Sequence, residues 1–328
     1  MTAQMLPACY VVAETTIESD IELFDLERVH DAAPHDLRVR CGGALPDPLR
    51  ETVARFDLNS FGFASGLDDR QRLVLTWANV GTVVLGAGGA DMTVYPDPGS
   101  SGHRVSHLVL DHALPRLLWQ RGRTVFHATS VAIEGKGVGF VAPAGTGKST
   151  LAASFALAGH PLLSDDCLVL DRVASGFEIV PSYCGNRLLP DSARELAVDE
   201  ALLAKRSGPK LAVRFDHHAA PRYPLAALVA IDRTEGPVLL DAVAPADSFW
   251  LLGQRAFVTG DNQRAFVALA DVADVVPVWS LRYPSSFEML DEVRERVRSI
   301  LEGGDNGAQG IQGAYRPSTR RGGRSHTW

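Results

Sequence analysis

The chain has 328 residues, 46% hydrophobic and 22% charged, and its 32 Lys and Arg against 39 Asp and Glu give a net charge of −7. These values predict folded structure over most of the length, enough for two domains, and exclude a general basic surface for nucleic acid or anionic membranes. Because no apolar run is long enough to cross a bilayer, we expect a cytoplasmic protein that binds neither nucleic acid nor membrane.

The four cysteines, Cys9, Cys41, Cys167 and Cys184, are far apart and include no CxxC pair. No histidine lies near them at metal-ligand spacing. This pattern predicts buried thiols rather than a disulfide framework or a zinc site.

The amino-terminal third is rich in strand-like segments. From residue 10 to about residue 97, Val, Thr and alternating apolar residues are interrupted by Gly, Pro and Asp. This pattern predicts a smaller β-rich domain over residues 1–105. The following segment, Ser106 to Arg121, has helical spacing and contains Pro115, which predicts a kink or a boundary at the start of a second domain, 106–302.

The second domain begins with an alternation of strands and helix. TVFHATSVAIE and KGVGFVAP predict a hairpin, and the second strand leads directly into AGTGKST. A helical pattern then ends at Gly159, and PLLSDDCLVLDRV returns to strand. Strand, glycine loop, helix and strand together predict a βαβ unit, and therefore an α/β domain.

The remaining elements complete a mixed sheet with flanking helices. Ser192 and Glu195 have capping-box spacing and predict a helix over LAVDEALLAK, whereas LAALVAIDR and VVPVWSLRY predict core strands. Ser285 and Glu288 predict the start of a last amphipathic helix. Residues 303–328 are Gly-rich and without periodicity, which predicts a disordered tail whose arginines leave docking to an acidic partner open.

The glycine loop between strand and helix is the strongest chemical signal. It matches a Walker A motif except that Ala142 stands where the first Gly of the motif usually lies. Such a loop directs backbone N–H groups and the helix dipole at a phosphate, the lysine supplies a mobile charge, and the following hydroxyl is placed to bind Mg²⁺. The motif predicts ATP or GTP binding by Ala144, Gly145, Thr146, Gly147, Lys148, Ser149 and Thr150.

Two acidic residues and a histidine are candidates for the chemistry beside this loop. Asp165 and Asp166 end a strand whose carboxyl edge would face the loop, so one carboxylate can hold Mg²⁺ and the other can accept a proton from an attacking hydroxyl. A solvated turn is the alternative. His127 lies on the strand paired with the one that enters the loop, although a histidine in a strand is more often a structural core residue.

The segment from FHATS to LVL resembles the catalytic core of the HPr kinase/phosphorylase family over about 45 residues. The shared order is a histidine-bearing strand, a hairpin, a Walker A loop, a helix ending in Gly159-His160, and a strand ending in Asp165-Asp166. The chain is most similar to the family's peptide-directed members, the serine kinases of ribosomally made lasso-peptide precursors. That resemblance implies an HPr-kinase-type P-loop domain.

The same resemblance implies roles for individual residues. Asp165 would be the general base on an acceptor serine, and His127 would assist or orient it. Asp166 and Ser149 would hold Mg²⁺. Bifunctional members have Ser and Glu where this chain has Ala144 and Thr150, and Ala144 implies a kinase without phosphorylase activity. The chain has no convincing copy of the family's Gly-rich signature after the Asp pair, which implies a substrate other than HPr.

Basic residues beyond the core are candidates to neutralise charge on the transferred phosphoryl group. A solvated surface position is the alternative for each of them. Arg187 is the first choice, because GNRLLPDS resembles a segment that recurs in the kinase-like relatives. The candidates are Arg187, Lys205, Arg206 and Lys210.

These observations lead to the expectation of an ATP- and Mg²⁺-dependent serine kinase. Its partner would be a serine-containing peptide or small protein, and a homo-oligomer is left open. A kinase of small-molecule hydroxyl groups and a non-catalytic nucleotide-binding regulatory module remain as alternatives.

Overall fold

The computed structural model describes most of the chain. The described residues are 7–30, 34–183, 185–207, 210–215, 222–260 and 262–302. Cys184, the predicted tail 303–328 and the side chains of Lys205 and Arg206 lie outside this description. Of the other cysteines, Cys167 is buried, whereas Cys9 is half-buried and Cys41 is exposed, so the expectation of buried thiols is wrong for Cys41.

The described residues divide into two compact units between Gly122 and Arg123. In the first unit, eight strands form one mixed sheet. They are β1 (Ala8–Val12), β2 (Thr15–Ser19), β3 (Arg28–Val29), β4 (Leu37–Cys41), β5 (Phe63–Leu67), β6 (Leu73–Trp77), β7 (Gly81–Leu85) and β8 (Asp91–Pro96). Their order is β3-β1-β2-β4-β8-β7-β6-β5, in which β4 runs parallel to β2 and to β8.

Helices complete the first unit. Helix α1 (Asp47–Ala54) packs Leu49 against the sheet. A continuous helical run follows β8, with α2 (Gly102–His107), a π-helical turn (Leu108–Ala113) and α3 (Leu114–Gln120).

The predicted domain boundary after residue 105 falls inside this helical run, which begins at Gly102. The run also continues through Pro115, where the sequence predicts a kink or a boundary. Proline has no N–H to donate, and the π-helical turn directly before it changes the hydrogen-bonding pattern at that point. The helix buries Leu108 and Leu117. Arg121 at its end donates Nε to the Gly89 carbonyl oxygen at 2.9 Å. The residues of this helical run, up to Gly122, therefore belong to the first unit.

The second unit contains the predicted glycine loop. Its strands are β9 (Thr124–Phe126), β10 (Ala128–Ile133), β11 (Lys136–Val141), β12 (Leu162–Ser164), β13 (Leu168–Val173), β14 (Gly176–Val180), β15 (Gly185–Leu188), β16 (Leu203–Ser207), β17 (Lys210–Arg214), β18 (Tyr223–Arg233), β19 (Leu239–Ala242) and β20 (Val278–Tyr283). Its helices are α4 (Lys148–Leu157), α5 (Pro190–Glu195), α6 (Pro245–Gly253), α7 (Asn262–Val275) and α8 (Leu290–Glu302).

A mixed sheet forms the centre of the second unit, as the sequence predicts, and nine of the described strands belong to it. Strands β12-β10-β11-β18-β14-β13-β9 are adjacent in this order, and β20 pairs with β18 and β19. The predicted hairpin of β10 and β11 is confirmed, and it turns at Glu134 and Gly135, which both have positive φ. Strands β11, β18 and β20 are parallel, so their carboxyl ends lie at the same edge. A smaller sheet has the order β15-β17-β16.

Helices cover the large sheet on both faces. On one face, α6 and α7 bury Leu252 and Leu269 in a cluster with β13 and β14. On the other face, α4 and α8 bury Phe155 and Val293. Residues 228–231 of β18 alternate between these two clusters, as the two-residue period of a strand requires. The described part of the second unit is thus an α/β structure of mixed strand direction.

Two predicted helices differ from the structure. The helix expected over LAVDEALLAK lies earlier in the chain, as α5. It begins at Pro190, and the chain leaves the helical conformation at Ala197, where φ is +50°. Most of the predicted segment is then a short 3₁₀ turn and β16. The last helix begins at Leu290 rather than near Ser285. Within the described ranges, no helix combines the length and apolar character of a membrane span.

Candidate active site

The glycine loop connects the end of β11 to the start of α4. Gly145 has φ +80° and Gly147 has φ +102°, values that side chains other than glycine rarely adopt. A Cβ at Gly147 would also collide with the guanidinium group of Arg233. Gly147 is the N-cap residue of α4 and provides no side-chain cap. The loop therefore leaves the positive end of a ten-residue helix without a side-chain acceptor.

Lys148 is buried at the first turn of this helix, with 4% of its surface exposed. Its Nζ atom donates to the Ala142 carbonyl oxygen at 2.9 Å and to the Pro143 carbonyl oxygen at 3.4 Å. His127 Nε2 lies 3.3 Å from the same nitrogen. Burial lowers the pKa of Lys148. The ammonium group is thus held against the loop by backbone oxygen atoms.

Asp165 follows β12 and is completely buried. Its Oδ1 accepts hydrogen bonds from the Thr129 hydroxyl at 2.8 Å and the Ser149 hydroxyl at 3.1 Å. Its Oδ2 accepts from the Arg187 backbone N–H at 3.2 Å. Burial, together with the charge of Asp166, raises the pKa of Asp165 to about 6.

Asp166 lies in the turn between β12 and β13 and lines the cavity. Its φ of +59° is unusual for a residue other than glycine, and Asp and Asn are among the side chains that tolerate it best. Oδ2 lies 3.1 Å from Arg187 Nη2 and Oδ1 lies 3.8 Å from His127 Nε2. Burial acts to raise the pKa of Asp166, but the positive charges of His127, Arg187 and Lys148 outweigh it and hold the pKa below its usual value.

His127 occupies a break between two strands that pair with different neighbours. Strand β9 pairs with β13, whereas β10 pairs with β11 and β12. The His127 backbone N–H donates to the Arg255 carbonyl oxygen at 2.7 Å, and the ring meets Phe257 edge-on. These contacts place the imidazole between Lys148 and Asp166.

The structure brings most of the sequence-predicted residues to one cavity of about 320 Å³. Asp165 lies beneath the cavity rather than on its surface. The side chains of Lys205 and Arg206 are outside the described residues. The predicted residues that line the cavity are His127, Ala144, Gly145, Thr146, Gly147, Lys148, Ser149, Thr150, Asp166, Arg187 and Lys210.

Sequence reasoning missed several residues of this site. Thr129 binds Asp165, and Asn186 donates Nδ2 to the Ser149 carbonyl oxygen at 3.1 Å. Arg233 donates Nε to the Thr146 carbonyl oxygen at 2.8 Å. A charged residue at the carboxyl end of a parallel core strand is a signal that would have found Arg233. Thr129 and Asn186 carry no such signal, because only the pairing of distant strands gives them their partners.

The geometry favours a division of labour opposite to the one expected for the two aspartates. Each oxygen of Asp165 already accepts a hydrogen bond from the protein, and no part of the residue is exposed. Asp166 faces the cavity and is held ionised by the cations around it. An incoming hydroxyl group can therefore approach Asp166 but not Asp165.

The oxygen atoms beside Lys148 fit Mg²⁺, although the described residues include no cluster of three or more His, Cys, Asp or Glu that forms a metal site. Ser149 Oγ and Asp165 Oδ1 are hard oxygen ligands 3.1 Å apart. Mg²⁺ typically takes one or two protein oxygens and completes its octahedron with phosphate and water. Ser149 lines the cavity and would hold this ion directly, whereas Asp165 beneath the cavity would support it through its hydrogen bond with the Ser149 hydroxyl.

The raised pKa of Asp165 predicts a specific effect on stability. The pKa lies above the ordinary 3.8, so folding disfavours the ionised form, and the ligand-free protein loses stability as the pH rises from about 4 to about 6. Asp165→Asn removes this loss. Between pH 5 and pH 7.5 the wild-type protein should lose about 1.4 kcal/mol of unfolding free energy relative to the variant. Urea denaturation of both proteins at both pH values measures this difference, and parallel changes would contradict the prediction.

No family model matches the chain, and no curated protein sequence matches it. Among solved structures, the chain is similar to the one described as the Hpr(Ser) kinase/phosphatase from Coxiella burnetii, with 15% sequence identity and a TM-score of 0.31. The similarity covers 55% of this chain and 98% of that chain. At these values it is a distant likeness of fold and carries no argument about function.

Proposed function

We propose that this protein is an ATP- and Mg²⁺-dependent kinase that phosphorylates a serine hydroxyl of a peptide or small protein. One observation carries the proposal: a Walker A lysine and an ionised, cavity-facing aspartate share one cavity, with His127 between them. This combination places a phosphate-binding group and a proton acceptor on the same reacting centre.

The geometry supports a direct transfer. The loop and Lys148 would bind the phosphates, while Asp166 would accept the proton of the acceptor hydroxyl as its oxygen attacks the γ-phosphorus. The bond from that phosphorus to the bridging oxygen then breaks, and ADP leaves. Bound Mg²⁺, held by Ser149 with Asp165 behind it, would neutralise phosphate charge. Arg187 and Lys210 line the cavity and add positive charge near the transferred group.

Support for a serine in a peptide comes from the sequence resemblance to lasso-peptide precursor kinases. Ala144 stands where bifunctional relatives have a serine, which favours a kinase without phosphorylase activity. A ribosomally made peptide precursor is therefore the first acceptor to test.

Intact mass spectrometry of candidate acceptors after incubation with ATP and Mg²⁺ tests the function. We expect a gain of one phosphate on a serine-containing precursor peptide, no gain on HPr, and no gain with the Asp166→Asn protein. Phosphate transfer only to metabolites would establish a small-molecule kinase instead. Nucleotide binding without transfer to any acceptor would establish a regulatory module.

The conformation of the loop leads to a further prediction. Gly147→Ala introduces a side chain at φ +102° and against Arg233, so we expect at least a tenfold loss of ATP affinity. The matched control is Gly159→Ala, which has a similar φ of +88° but no atom near the new Cβ. Both changes should cost about 1–2 kcal/mol of stability through backbone strain. Isothermal titration should show weakened binding for Gly147→Ala alone, and an equal loss in both variants would contradict the role of the loop.

A further inference from the structure

One wall of the cavity has no part in the phosphate chemistry described above. It follows the carboxyl end of β20 and consists of Ser285, Ser286, Phe287 and Leu290. In sheet order, β11 with its glycine loop lies between β10 and β18, and β20 lies beyond β18. Strand β12 with Asp165 and Asp166 lies on the other side, beyond β10. The wall and the acidic pair are thus on opposite sides of the loop.

Arg233 connects this wall to the loop. At the end of β18 it donates Nε to the Thr146 carbonyl oxygen at 2.8 Å and Nη1 to the Pro284 carbonyl oxygen at 3.0 Å. Its guanidinium group stacks over the ring of Tyr283 at 4.1 Å. One planar cation therefore fixes the position of the 284–287 turn relative to the phosphate loop.

The chemistry of the wall differs from that of the rest of the cavity. Phe287 is half-buried and packs on the core of the sheet, and Leu290 is buried beside it. Ser285 is exposed and Ser286 is half-buried. An aromatic ring with neighbouring hydroxyl groups suits a flat heterocycle that also carries polar edges and ribose hydroxyls.

The direction of a bound nucleotide follows from the positions of the acidic pair and the wall on opposite sides of the glycine loop. The γ-phosphate has to face Asp166 and the acceptor, so the other end of the triphosphate leads away from the acidic pair. Ligands of open α/β sheets bind at the carboxyl ends of the parallel strands, and the next such ends beyond the loop are those of β18 and β20. The nucleoside then reaches the wall that Arg233 holds in place.

We propose that Ser285, Ser286, Phe287 and Leu290 form the nucleoside subsite of the donor nucleotide, and that Arg233 is the positioning residue that fixes this subsite to the phosphate loop. The proposal rests on the proposed kinase function. Phe287 supplies the surface on which the base stacks.

Comparing Mg²⁺-ATP with Mg²⁺-tripolyphosphate tests the subsite, because the second ligand has phosphates and no nucleoside. The wild-type protein should bind ATP at least tenfold more tightly than tripolyphosphate. Phe287→Leu keeps the apolar packing but removes the ring, so ATP affinity should fall about tenfold while tripolyphosphate affinity changes less than about twofold. Phe266→Leu, at a 62% exposed position on α7, is the matched control and should change neither.

Arg233→Lys separates positioning from charge. Lysine keeps the charge but cannot bridge the Thr146 and Pro284 carbonyl oxygens, so ATP should bind about tenfold more weakly and its advantage over tripolyphosphate should shrink. Unchanged ATP binding, or equal losses of both ligands, would overturn the positioning role.

Three results would overturn the subsite itself. They are equal wild-type affinity for the two ligands, equal losses of both ligands in Phe287→Leu, and no loss of either ligand in that variant. Failure of the wild-type protein to bind either ligand would instead overturn the proposed kinase function, and the subsite with it.

Discussion

Asp166→Asn is expected to reduce phosphoryl transfer about 10³-fold, while ATP affinity stays within about threefold of the wild-type value. The carboxylate faces the cavity between His127 and Arg187 and is held ionised there, so it is the group that an acceptor hydroxyl can reach. Asparagine tolerates the φ of +59° at this position and keeps the side-chain size, but it cannot accept the proton. Single-turnover transfer to the peptide, with ATP affinity from calorimetry, measures both quantities.

The neighbouring variant Asp165→Asn is the control for this result. Asp165 contacts Thr129 and Ser149 below the cavity, so its loss should raise the Mg²⁺ concentration needed for half-maximal turnover. Some transfer should return at high Mg²⁺. If Asp165→Asn abolished transfer at every Mg²⁺ concentration while Asp166→Asn retained it, the assignment of Asp165 as the base would hold instead. Thermal unfolding of both variants checks that each is folded.

Lys148→Ala is expected to weaken ATP binding about a hundredfold and to lower turnover as well. The ammonium group lies in the loop with 4% exposure, where water screens its charge little. In the ligand-free protein its hydrogen bonds go to the Ala142 and Pro143 carbonyl oxygens, so these are exchanged for phosphate oxygens on binding. Removal of the side chain leaves those carbonyl groups without that donor but introduces no buried charge, and the fold should persist.

Lys136→Ala is the matched control for this variant. Lys136 lies at the opposite end of the same strand, β11, and is exposed. It should retain wild-type affinity and turnover. If both lysine variants bound ATP as the wild-type protein does, the loop would not be a phosphate site, and the kinase proposal would fall with it.

Local signals were sufficient for much of the second unit. The hairpin of β10 and β11, the glycine loop and the presence of helix α4 after it follow from short-range rules, because turn residues, strand alternation and helical spacing depend on neighbours in sequence. The helix at Pro190 and the late start of α8 were missed, since the chain leaves the helical conformation at Ala197 and packs Phe287 and Met289 on the sheet core before α8 begins. The helix continues through Pro115 because the π-helical turn directly before it changes the hydrogen bonding there, which residue spacing does not indicate.

The sequence by itself determined the loop, the presence of two adjacent acids and the candidate histidine, because each is encoded in a continuous stretch of chain. Only the tertiary structure decided which acid faces the cavity, because burial and the hydrogen bonds from Thr129, Ser149 and Arg187 depend on three other segments. It also brought Arg233 and Phe287 to the loop. Parallel strands align their carboxyl ends across sequence separations of about 90 to 140 residues, and no local pattern contains that information.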